Sequence, residues 1–307
     1  MIEYPMTFDE FIKRFLTEEQ CEEYLYALRW KDGFECPKCN YDKCWKTKRH
    51  LYNCAKCGYQ SSVTAGTIFQ DTRKPLRTWF IAIWWVTTQK YGASAEGLKQ
   101  VLGLKSDETA WAWLHKIRKA MVIPSREKLS GEIEVDECYV GGKFEGKAGR
   151  GSENKTLIAV AVEIKGKKLG RIRMSVMKDA SSDSFVPFIT GNIEKGSTLI
   201  TDGWRGLSGI ESYGYERIVH KQSEAISEDE MLPHVHLIVS LLKRWLLGTH
   251  QGAVEPKYLQ SYLDEYVFRF NRRTSSKRGL LFYRLLENAM IVSPSTLDDI
   301  KKGRLLE

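Results

Sequence analysis

The stretch that decides the fold is residues 131–142, "GEIEVDECYVGG". Apolar Ile133 and Val135 alternate with acidic neighbours, the period-two signature of a strand, and a glycine pair follows it. Asp136 ends this strand within "EIEVDE", where apolar positions should otherwise continue. Downstream come "TLIAVAVEI" (156–164), a turn at Gly166 and "GRIRMSVM" (170–177), then a helix over 182–192, strands "STLITD" (197–202) and "ERIVH" (216–220), and helices to the end. This order predicts an α/β domain with an initial antiparallel meander over residues 126–307. A second aspartate, Asp202, closes "STLITD" directly before a glycine. Two carboxylates placed this way can lie side by side in one sheet and share divalent cations. Each also fits a turn cap, a frequent use of Asp.

Upstream, the composition changes. The chain has 307 residues, a net charge of +8, 28% charged and 11% aromatic residues, which fits folded domains rather than a disordered tract. The charge is uneven: −5 over 1–35, +10 over 36–125, −2 over 126–230 and +5 over 231–307. Clustered basic excess points to a polyanion partner. The longest apolar run, near Phe80–Val86, is too short to span a bilayer, and the N-terminus lacks a signal-peptide pattern. The expected location is therefore the cytoplasm, with no membrane partner.

Residues 1–30 read as a helical segment, with Thr17 opening a second helix ahead of Gln20. Residues 31–70 contain Cys36, Cys39, Cys54 and Cys57 as two C-x2-C pairs fourteen residues apart, the spacing of a structural, tetrahedral zinc ribbon. Cys21, Cys44 and Cys138 read as small core residues, with Cys44 near enough in sequence to substitute as a ligand. Lys46, Lys48 and Arg49, interleaved with Trp45, His50 and Tyr52, fit nucleic-acid contact; a solvated face is the plainer reading. Over 71–125, Pro75, Ser94 and Ser106 each open a helix, and the last two form a helix-turn-helix-like pair about Gly103. Lys105, Lys116, Arg118 and Lys119 are its candidate phosphate contacts. Gly141, Gly142 and Lys143 match no phosphate-loop spacing.

Taken together, the two Cys pairs, "SSVTAGTIFQDTRKPLRTWF" (61–80), "EVDECYVGGK" (134–143), "TDGW" (201–204) and "LLKRWLLGTHQGAVEPKYLQSYLDEYVFRFNRR" (241–273) resemble the DDE-type insertion-sequence transposases with an N-terminal zinc ribbon. The specific likeness is to insertion-sequence family fifteen ninety-five, related to the Mutator-like group. The resemblance implies a ribonuclease-H-like catalytic fold, two magnesium or manganese ions, and cleavage and strand transfer at the terminal inverted repeats of an element. It makes Asp136 and Asp202 the first two catalytic acids. The third family position lies seven residues before the lysine of "LLKR", here Lys243, so it falls on His236 rather than the common Glu. His236 and Lys243, two helical turns apart, face the same way.

Imidazole is a reasonable metal ligand, and it favours manganese. Glu224, Glu228, Glu230 and Glu255 are rival third ligands, while His234 falls on the opposite side of the turn. Lys243, assisted by Arg244, would contact DNA phosphate. The family implies double-stranded DNA as partner and a dimer or larger assembly on it. Two rival functions remain: a DNA-binding regulator derived from a transposase, and a nuclease of the same fold.

Overall fold

The computed structural model describes residues 2–123, 125–141, 155–166, 168–220, 231–251 and 254–304. In chain order its elements begin with helices α1 (Phe8–Arg14) and α2 (Glu18–Arg29), strands β1 (Cys44–Lys46), β2 (Tyr52–Cys54) and β3 (Gln60–Ser61), and helices α3 (Leu76–Thr88), α4 (Ala95–Leu102) and α5 (Asp107–Lys119). Next are β4 (Glu132–Val140), β5 (Thr156–Lys165), β6 (Lys168–Val176), α6 (Ser182–Asn192), β7 (Thr198–Thr201) and β8 (Glu216–Val219). Helices α7 (Pro233–His250), α8 (Pro256–Phe270), α9 (Arg278–Ile291) and α10 (Leu297–Lys301) complete the chain. Lys143, Gly142, Glu224, Glu228 and Glu230 lie outside the described residues.

The chain divides into two units, Met1–Ile123 with Ser275–Glu307, and Pro124–Thr274. This corrects the expected segmentation, in which 126–307 formed one domain and 1–30, 31–70 and 71–125 three more. The reason is a shared aromatic core. Phe11 of α1, Phe15, Phe80 of α3 and Phe282 of α9 are almost wholly buried, with ring centroids 4.8 to 5.9 Å apart in edge-on and tilted pairs. Phe282 thus belongs to the N-terminal unit although it follows the α/β segment in sequence.

Local capping fixes the first unit's helices where the sequence marks them. Thr17 and Gln20 form the capping box of α2, and Ser94 and Ser106 accept N–H bonds at the starts of α4 and α5. Pro75 leaves α3 without a side-chain cap of its own, and the Glu18 carboxylate supplies one, accepting from Leu76 N–H and, at 3.1 Å, from Arg77 N–H. Strands β1, β2 and β3 form an antiparallel sheet in that order. Glu22 of α2, buried, holds this sheet by accepting bonds from Tyr52 Oη (3.2 Å), His50 Nδ1 (2.7 Å) and Lys46 Nζ (3.0 Å).

The second unit is built on a five-stranded sheet of order β6-β5-β4-β7-β8. Strands β4, β5 and β6 are the antiparallel meander, and β7 joins β4 in parallel across the α6 crossover, with β8 parallel beyond it. One face packs Ile133, Val135, Ala159, Ala161 and Leu199 under Phe185, Phe188 and Ile189 of α6. Helices α7, against β4 and β5, and α8, against β6, cover the other face. Because side chains alternate along a strand, the inward Ile133 and Val135 commit Glu134, Asp136 and Cys138 to the α7 face.

Candidate active site

Parallel pairing of β4 with β7 carries a constant register: Glu132 faces Thr198, Ile133 faces Leu199 and Glu134 faces Ile200. Two residues beyond the last paired residues, the same register points Asp136 toward Asp202, and the Asp202 charge is near enough to act on the Asp136 carboxyl. Asp136 is not at the end of its strand, as expected, but at the middle of β4, which stays paired with β5 through Val140. What ends there is the ladder to β7, so the two aspartates flank the point where the strands part. Asp202 follows β7 directly and accepts the N–H of Trp204 at 2.9 Å; Asp136 accepts that of Glu137 at 2.8 Å.

Helix α7 brings the third group. His236 Nε2 lies 4.0 Å from Asp136 Oδ2, the spacing of a loose ion pair and wider than the roughly 3 Å between adjacent donors on one octahedral cation. Burial pushes the Asp136 carboxyl up, against the Glu137 N–H bond that lowers it, and the nearby charges of Asp202, Glu137 and Glu134 raise it further, to about 7. Such clustered, desolvated carboxylates are the electrostatic condition that a divalent cation relieves. Lys243, exposed on α7, is close enough for its charge to oppose the burial that raises the Cys138 thiol to about 12. Asp136 and His236 are thus brought face to face, with the charges of Asp202 and Lys243 near enough to act on β4; among the described residues only the four cysteines form a group of three or more with ligand atoms within 4.8 Å of one another. Glu255, the rival ligand within the described residues, instead pairs with Lys257 at 3.1 Å just before α8.

One further residue of this region, Glu134, carries no mark of its role in the sequence pattern. Glu134, two positions before Asp136 on the same face, is buried and accepts from His234 Nδ1 at 2.6 Å and from Val235 N–H at 2.8 Å. The available signal was a second acid at period two in an otherwise apolar strand.

The four cysteines gather as expected. All four sulfurs lie within 4.8 Å of one another, with Cys36–Cys57 and Cys39–Cys54 at 3.7 and 3.6 Å. Tetrahedral thiolates around zinc at about 2.3 Å would stand roughly 3.8 Å apart, so the set fits a structural zinc ion with its four positions filled by protein. Cys44 is outside the set.

The basic candidates separate by exposure. Lys48, Arg49, Lys105 and Arg244 are exposed, and Lys46, also exposed, is engaged by Glu22. Lys116 is half-buried, and Lys119 donates to Ser293 and Ser295 hydroxyls at 3.1 and 3.0 Å. Arg118 corrects the expectation outright: it is buried, 1% exposed, with Nη2 donating to the Ala93 carbonyl at 3.2 Å, and so forms part of the helical core. Among the described residues no helix is long and apolar enough to cross a membrane.

Residues 128–271 match the family model of the ISXO2-like transposase domain, and residues 16–60 match that of the transposase zinc-ribbon domain. The chain is also 24% identical over 288 residues to an uncharacterized protein in transposable element ISH50 of Halobacterium salinarum, an alignment covering 87% of this chain and 95% of that one.

Proposed function

The chain belongs to the zinc-ribbon transposases of insertion-sequence family fifteen ninety-five, and from that membership we propose that it binds the terminal inverted repeats of an insertion sequence and cuts and joins DNA at their ends. The observation that carries the proposal is the placement of His236 4.0 Å from Asp136, on a helix packed over the strand whose parallel neighbour leads to Asp202. The sheet order, with an antiparallel meander and two parallel strands beyond it, supports a ribonuclease-H-like fold for the second unit.

In this reading Asp136 and Asp202 hold the catalytic cations, with His236 as third protein ligand. Magnesium or manganese held there supplies Lewis-acid activation of a water or 3′-hydroxyl oxygen and stabilisation of the leaving 3′-oxygen. Lys243 orients the scissile phosphate by a charge-assisted bond, and Arg244, exposed beside it, adds a second donor. The carboxylates stay fixed because backbone N–H groups of Glu137 and Trp204 hold them. Lys48, Arg49 and Lys105 contact DNA outside the cleavage site. Pairing of two element ends calls for at least two protomers. The test is strand cleavage and joining on DNA bearing the element's ends. End binding with no cleavage in any divalent metal would make the protein a regulator, and cleavage without joining a nuclease.

A further inference from the structure

The first turn of α7 is held to β4 by a device that no cleavage chemistry requires. Leu232, its N-cap, offers no side-chain acceptor, and Pro233 at the first position has no N–H. The orphan N–H of Val235 is taken instead by Glu134 Oε2, from the strand (2.8 Å), while Glu134 Oε1 accepts from His234 Nδ1 (2.6 Å). The contact ties the His234 ring directly to the same carboxylate that caps the helix. Glu134 lies two residues before Asp136 and His234 two residues before His236. Two of the three proposed ligands, Asp136 and His236, thus sit at the same short distance along the chain from one buried clamp.

We propose that Glu134 and His234 are positioning residues that fix the distance between Asp136 and His236, and thereby the affinity and selectivity of the catalytic metal site. Glu134, although on the same face as Asp136, is not itself a ligand in this arrangement, since both its oxygens are occupied by the helix. The inference rests on the reading of Asp136, Asp202 and His236 as ligands. Its logic is that a negative group at a helix N-terminus, bonded in two directions, leaves the helix one seating on the sheet. Without the clamp, the first turn of α7 can fray and His236 leaves Asp136.

The test is Mn2+ binding to the full-length, zinc-loaded chain, followed by the loss of the free-ion paramagnetic resonance signal. The variants are His236→Ala, Glu134→Ala, His234→Ala and His234→Asn, the last of which keeps a donor near the Nδ1 position. With His236→Ala weakening binding, His234→Ala and Glu134→Ala are expected to weaken it about 10-fold or more. His234→Asn should recover to within about threefold of the parent, which a merely destabilised fold would not show. Should Glu134→Ala fail to fold, His234→Ala and its Asn counterpart decide the matter, since His234 is only partly buried. Unchanged Mn2+ affinity in His234→Ala, with His236→Ala weakened, overturns the clamp and leaves the ligand reading standing. Unchanged affinity in His236→Ala overturns the ligand reading and the clamp with it.

Discussion

His236 Nε2 and Asp136 Oδ2 stand 4.0 Å apart although one hundred residues separate them in the chain. The relationship depends on two registers: β4 against β7, which brings Asp202 to Asp136, and α7 against β4, which brings the imidazole. Each register has consequences that can be measured.

In chelator at neutral pH, Asp136→Asn should raise the melting temperature of the chain by a few degrees. Burial and the Asp202 charge hold the Asp136 carboxyl at about 7, well above 3.8, so its ionised form is disfavoured by the fold. Adding Mn2+ should reverse the order, stabilising the parent and not the variant. Differential scanning fluorimetry reads both, and a variant less stable than the parent in chelator contradicts the electrostatic account.

Glu163 of β5 sets an acid limit on the second unit. Its burial would raise the carboxyl, but side-chain and backbone N–H bonds from Arg171 prevail and hold it at about 2, below the ordinary 4.5. The unfolded chain therefore takes up the proton first, and this stabilisation, complete above about pH 4.5, is lost as pH falls toward 2. Glu163→Gln removes the charge facing Arg171, which Glu127 and the Lys128 carbonyl still hold, and should cost about 1–3 kcal/mol at neutral pH and flatten the acid limb. Gly170→Ala should destabilise similarly, because its Cβ would stand 2.7 Å from Glu163 Oε2 and 2.8 Å from the Glu163 carbonyl. Urea titrations between pH 2 and 7 check all three.

Arg118→Ala and Lys105→Ala should part company. Loss of the buried Arg118 guanidinium lowers stability by about 1–3 kcal/mol, whereas loss of exposed Lys105 leaves stability within about 0.5 kcal/mol. Lys105→Ala should instead weaken DNA binding at all sequences and reduce the salt slope by about one. Melting curves and binding isotherms over a salt series distinguish the two; an unaltered slope removes Lys105 from the interface.

Cys54→Ser should release the bound zinc and open the region around β1–β3 to protease while the second unit stays resistant. The sulfur cluster is the ribbon's centre, and the Glu22 clamp alone holds only one side of the sheet. Zinc release by a chromogenic chelator and limited proteolysis are the readouts. Retained zinc in the variant contradicts the four-cysteine site.

Much of this was legible because it is local. Capping residues Thr17, Ser94 and Ser106 marked helix starts, the two Cys pairs marked the ribbon, and period-two alternation marked β4 and β5. What escaped was non-local. Phe282 reads as one apolar residue of a late helix, and only packing reveals that it completes a core begun at Phe11. Arg118 reads as a surface cation from its charge alone; it is four residues after Leu114 and next to Ile117, both buried, and shares their face. Asp136 reads as strand-terminal because the apolar alternation stops at Val135, whereas pairing with β5 carries the strand on to Val140. The role of Glu134 is not legible in the sequence because its partner, His234, lies a hundred residues away.

The most direct measurement of the central claim is cleavage of DNA carrying the element's own inverted repeats by the full-length chain in Mn2+, with Asp136→Asn and Asp202→Asn assayed for end binding in parallel. The account predicts that both variants shift the end-bearing DNA as the parent does and release no new 3′-hydroxyl. Cleavage at the parent rate by either variant contradicts it.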